Sequence, residues 1–129
     1  MLGHTYRYQV YNGTGVSNTV TVKDRKWKFG TDGSLTNAAE ATQFSAVSVS
    51  TVSYSNGSSV DNSTDKNLGA HLTVTFAPAS SASGTVTLYL QRSTDGGTTW
   101  PSDGLGEVVG SHTFVASSTS ITKNMSVDG

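Results

Sequence analysis

The feature that most narrows the folds open to this chain is an alternation of apolar and polar residues with a period of two, in short runs closed by Gly, Asn and Asp. Successive side chains of a β-strand point to opposite faces, so such alternation marks strands with one buried face. Tyr6, Tyr8 and Val10 share one face of a first strand, Asn12-Gly13-Thr14-Gly15 turns the chain, and Val20 and Val22 share a face of a second. Trp27 and Phe29 then fall on odd positions, which predicts a phase slip and a bulge or bend near Asp24 to Lys26. Residues 5 to 29 therefore read as a hairpin. Farther on, Ala46 to Tyr54, Leu72-Val74-Phe76, Val86-Leu88-Leu90, Val108-Val109, His112 to Ala116 and Ile121 to Val127 read as further strands.

Between these runs, Asn37 to Ala41 is the one place where a helical turn is expected, and Ser55 to Gly69 reads as a polar surface loop. Turn signals about ten residues apart point to a sandwich or barrel. We expect an all-β, antiparallel β-sandwich or jelly-roll-like domain, with residues 1–30 as an N-terminal basic hairpin or arm and 31–129 as the sandwich body, one domain overall.

Composition agrees with strands and argues against a helical bundle. Roughly three residues in ten are Ser or Thr, and good helix formers are scattered. With no Cys, neither a disulfide framework nor a thiolate metal site is available. The first residues lack a basic segment followed by an apolar run, and no stretch is long and apolar enough for a membrane helix, so a soluble product without a cleaved signal or membrane association is expected.

Charge is unevenly placed. Residues 1 to 30 carry Arg7, Lys23, Arg25, Lys26 and Lys28 against Asp24, a net of +4, whereas the rest carries −5. One reading is an edge strand protected from aggregation; the other is a docking segment, with Tyr6, Tyr8, Trp27 and Phe29 as anchors beside the cations. Lys23, Arg25, Lys26, Trp27 and Lys28 are a weak form of a nucleic-acid-binding pattern, but the acidic body opposes it and no nucleic acid partner is expected.

The most specific motif is Ser93-Thr94-Asp95-Gly96-Gly97-Thr98-Thr99-Trp100, which fits S-x-D-x-G-x-x-W and is similar to the Asp-box of sialidases and related propellers. Ser93, Asp95, Gly97 and Trp100 are expected to build a structural turn: Asp95 accepts backbone hydrogen bonds, Gly relieves the dihedrals, and Trp100 folds back as an apolar plug. A propeller needs several four-stranded blades, more strands than this chain can supply, so Arg7, Arg25 and Arg92 are not expected to form a sialidase triad. Glu40 and Glu107 lie in unrelated contexts, and most Asp residues sit in turn sequences. His4, His71 and His112 lack zinc-ligand spacing, and Asp61-Asn62-Ser63-Thr64-Asp65 lacks a full calcium-loop pattern. No catalytic residue, metal or cofactor is assigned, and an enzyme is not expected.

The segment Gly84 to Pro101, GTVTLYLQRSTDGGTTWP, is similar to hairpins of tailed-bacteriophage capsid decoration, neck and tail proteins, a likeness of style over about the last sixty residues. It implies a non-enzymatic virion protein, made in the host bacterial cytoplasm, that sits on the capsid surface as a decoration or cement protein. Such a protein binds and stabilises the major capsid protein shell as an oligomer, with a trimer favoured. The alternatives in the same style are a tail or neck connector and a carbohydrate (receptor)-binding module with Trp100 or Trp27 beside tyrosines. The partner-binding residues expected on the first reading are Tyr6, Arg7, Tyr8, Lys23, Arg25, Lys26, Trp27, Lys28 and Phe29.

Overall fold

A computed structural model describes residues 2–128. Ten strands form: β1 (Thr5–Asn12), β2 (Asn18–Phe29), β3 (Leu35–Asn37), β4 (Ala41–Val49), β5 (Ser53–Asn56), β6 (Val60–Asp61), β7 (Gly69–Pro78), β8 (Ala82–Ser93), β9 (Glu107–Ser117) and β10 (Ile121–Asp128). They make two antiparallel sheets packed face to face. One runs β5-β1-β8-β9, with β6 beside β5's place on β1; the other runs β10-β7-β2-β3, with β4 also on β2. The expected β-sandwich is what forms.

The core lies between the sheets and follows the alternation. Tyr6, Tyr8 and Val10 of β1 and Val86, Leu88 and Leu90 of β8 meet Val20 and Val22 of β2 and Leu72, Val74 and Phe76 of β7. Phe44, Val49, Phe114 and Val127 close its sides. Burial of this kind, at roughly 25 cal/mol per Å² of apolar surface, is what holds a cysteine-free domain together.

Residues 5–29 are not a hairpin. β1 and β2 share no ladder; they lie in opposite sheets, β1 paired along its length with β8 and β2 from Asn18 to Trp27 with β7. The Asn-Gly turn between them is a corner of the sandwich. Buried Asn12 holds it, donating to the carbonyls of Val16 and Val49 at 2.8 and 2.9 Å and accepting from the backbone N–H of Thr14 at 3.0 Å. The strands of this segment, Thr5–Asn12 and Asn18–Phe29, are thus woven into both sheets and form no separate arm.

Nor does the phase of β2 slip against β7, where the register is unbroken. The inward position after Val22 is taken by Asp24, a carboxylate with no solvent exposure. The irregularity sits instead in the pairing with β4, where two shifts flank Val22 and Ala46 adopts a φ of 50°. Three further expectations also change. Asn37 to Ala41 forms no helical turn, but the end of β3 and the link to β4. The segment 55–69 is not all surface loop: β5 ends in it, β6 pairs with β1, and buried Asn62 bonds Gly3 and Asn67. The strand expected over Ala46 to Tyr54 is two strands in different sheets, separated by a turn at residues 50–52.

Candidate interaction surfaces

Tyr6 and Tyr8 are excluded as partner anchors by their place in the core, at 0% and 1% exposure. Their hydroxyls donate to one oxygen of Asp24, at 3.4 and 3.1 Å, while Lys26 and Gln43 donate to the other, at 3.3 and 3.0 Å. A buried carboxylate is tolerated only when paired and hydrogen-bonded, and this one has four donors. Burial, then the nearby Asp24 charge, raises both phenols above the ordinary tyrosine range. Lys26 is therefore committed to the core and is not a free docking cation.

The remaining expected docking residues divide between the two sheets. Arg7 lies on the outer face of the β1 sheet, its guanidinium 4.5 Å from the Trp100 ring centroid and its Nε bonded to Gln91 at 2.9 Å. Lys23 and Arg25 are exposed on β2, in the opposite sheet. Arg7, Arg25 and Arg92 are accordingly not brought together as a triad. Trp27 is half-buried, stacked near His71 at 6.5 Å and against Gly69, where even a methyl group would collide with the indole. Lys28 donates to the carbonyl of Asp65 at 3.0 Å.

Phe29 stands out. It is 58% exposed and lies directly opposite Leu35, itself 54% exposed, at the tip of the β2–β3 hairpin. Beside them is a depression of about 380 Å³ lined by Lys28, Phe29, Gly30, Thr31, Asp65, Lys66 and Leu68. Leu35, Lys66 and Leu68 belong to this surface although their sequence context did not mark them; only the register of β3 on β2 and the position of the loop before β7 place them there.

The Asp-box-like turn forms as its residue types require. Asp95 Oδ1 accepts from Ser93 Oγ at 2.7 Å and from the N–H groups of Thr98 and Thr99 at 3.1 and 2.9 Å, and Oδ2 accepts from Thr99 Oγ1 at 2.6 Å. These bonds, the Thr99 hydroxyl first, hold the Asp95 carboxyl down at about 2. Gly96 and Gly97 take positive φ, and Trp100 Nε1 donates back to the Gly97 carbonyl at 3.1 Å. The loop that follows lies across the outer face of the β1 sheet and buries Gln9 and Gln91 completely. Gln9 donates to Asn56 and Asp103 at 2.8 and 2.9 Å and accepts from the Gly104 N–H at 3.0 Å; Gln91 donates to the Pro101 carbonyl at 3.2 Å. The turn is a brace that seats this loop on the sheet.

Beyond the loop's edge the same sheet face carries Tyr54, Tyr11 and Tyr89, one on each of the adjacent strands β5, β1 and β8. No sequence pattern joined them. Among the described residues no three of His, Cys, Asp and Glu converge in a metal-binding group. Within the segment 61–65, Asp61 accepts from the Ser63 N–H at 2.8 Å and Asn62 holds Gly3 and Asn67, bonds that shape the loop itself. The chain matches no protein-family model, no curated protein and no solved structure.

Proposed function

We propose that this chain is a non-enzymatic bacteriophage virion protein that decorates the capsid, seating the tip of its β2–β3 hairpin on the major capsid protein shell. The observation that carries the reading is the facing pair Phe29 and Leu35, more than half exposed on a hairpin whose base is fixed by Trp27 against Gly69. Large apolar side chains left in water on a rigid support gain free energy when covered, about 2 kcal/mol for a half-exposed pair of this size.

One such contact is weak. A particle offers many copies of the partner site, and an oligomer of this chain, a trimer in our reading, multiplies the contact through effective concentration. The likeness of Gly84 to Pro101 to phage virion hairpins supports the same assignment, on which the protein is made in the bacterial cytoplasm and sits on the capsid surface.

The test is co-sedimentation of the purified protein with shells of the major capsid protein. Phe29→Ser with Leu35→Ser is expected to reduce shell binding at least tenfold while leaving the melting temperature within a few degrees, because both side chains are largely exposed. Undiminished sedimentation of the double variant would sink the hairpin as the contact. Electron microscopy of particles separates capsid decoration from the tail or neck connector that the same likeness admits.

A further inference from the structure

Tyr11 and Tyr54 face each other across β1 and β5, their rings 4.6 Å apart and tilted by 32°. Tyr89 lies on β8 opposite Gln9, one diagonal step from Tyr11 on the same sheet face. From this arrangement we propose a second binding site, on the outer face of the β1 sheet, for a neutral oligosaccharide of pyranose rings. It is independent of the hairpin, which belongs to the other sheet.

Three observations select this ligand. First, the patch is aromatic and half-wet: Tyr54 is 38% exposed, and Tyr11 and Tyr89 are partly so. Aromatic rings offer the axial C–H groups of a sugar a large apolar face at small entropic cost, since each has only two torsions to fix. Second, its polar groups are unspent. The hydroxyls of Tyr11, Tyr54 and Tyr89, Asp103 Oδ2 and Asn56 Nδ2 have no hydrogen-bond partner among the described residues, while Gln9 occupies Asp103 Oδ1 and Asn56 Oδ1. An apolar protein knob pressed on this surface would strip these five groups of water and return nothing. A saccharide brings hydroxyls to meet them.

Third, the charge on the patch excludes acidic sugars. Asp103, its one carboxylate, is electrostatically coupled to Arg7, whose guanidinium lies over Trp100 and whose Nε is held by Gln91, so the patch carries no unbalanced positive charge. A sialylated or sulfated glycan would meet Asp103 and find no cation that is not already balanced by it. The backing is also rigid. Buried Gln9 and Gln91 fix Asn56, Asp103 and the 101–104 loop to the sheet, and Gly104 runs so close to the Tyr54 hydroxyl that an added Cβ would lie 2.8 Å from it. A site held in this way loses little freedom on binding.

The test uses the whole protein on an array of immobilised neutral, sialylated and sulfated glycans, followed by titration calorimetry with the best neutral hit. Saturable binding to neutral glycans is expected, weakened at least tenfold by Tyr54→Ala and by Tyr89→Ala, each measured at a temperature where circular dichroism shows the variant folded. Phe29→Ser with Leu35→Ser is expected to bind the glycan as the unchanged protein does. Absence of any neutral hit, binding confined to acidic glycans, or full affinity in Tyr54→Ala would each overturn the site. So would loss of capsid-shell binding in Tyr54→Ala without glycan binding, since that result makes the face a protein interface.

Discussion

At the scale of single residues, Asp24 explains both an expectation that failed and the chemistry that replaces it. A carboxylate at an inward position disguises the alternation of β2, since nothing in the sequence says that two phenols, an ammonium and an amide will converge on it from residues as distant as Tyr6 and Gln43. The cluster also sets a pH dependence. The folded-state pKa of Tyr6 and Tyr8 is raised by burial and by Asp24, so near and above pH 10 the unfolded chain releases protons that the folded chain keeps. The unfolded state then binds fewer protons, and stability falls with rising pH, by about 1.4 kcal/mol per pH unit for each buried phenol. Below pH 10 the contribution is fully present. Urea midpoints measured from pH 8 to 12 are expected to be level at first and then to decline, and Tyr8→Phe to make the decline shallower. Equal slopes in the two proteins would show that Tyr8 ionises as freely folded as unfolded.

The elements were legible in proportion to how far their pattern is local. β7 and β8 announce themselves because each alternates over a buried face, and β1 does so through the spacing of Tyr6, Tyr8 and Val10. β5 and β6 do not, being short polar segments whose place is fixed by backbone bonding to β1. The candidate surfaces lie further from the sequence: Phe29 meets Leu35, and Tyr11 meets Tyr54 and Tyr89, only through strand register. Edge strands show a related division. On one side of the sandwich the edges are short or irregular, as in β3, β4, β5 and β6. On the other, β9 and β10 are long, with Val108 and Val115 exposed on β9. There Lys123 reaches across the seam and donates to the Ser111 carbonyl at 3.1 Å. A charge pointed at an edge discourages another strand from pairing there. Lys123→Ala is expected to cost about 1 kcal/mol or less in stability yet to raise self-association, read by light scattering at increasing concentration. A variant that scatters like the unchanged protein at every concentration would remove Lys123 from this role.

For the whole molecule, the interleaving of the two sheets decides how it folds and how it presents its surfaces. The chain passes between sheets repeatedly: β1 enters one, β2 to β4 the other, β5 and β6 return, β7 leaves, β8 and β9 return, and β10 closes the second sheet. Neither sheet is complete until the last strands are made, and each inner face is the other's only cover. β1 and β2 supply central strands to both, so the segment that charge sets apart in sequence has no independent stability in the fold. The same sandwich keeps the Phe29–Leu35 tip and the tyrosine face on different sheets, so that one rigid body can hold two contacts at once. A single cooperative unit follows, and the two tryptophans report on it, Trp27 beside the hairpin of one sheet and Trp100 on the loop over the other. Single-tryptophan variants Trp100→Phe and Trp27→Phe, followed by fluorescence in urea, are each expected to unfold at the midpoint given by far-ultraviolet circular dichroism of the same variant. A Trp27 transition preceding the loss of strand signal would mean that the β2 end melts as a unit of its own, and with it the rigid support that the proposed hairpin contact requires.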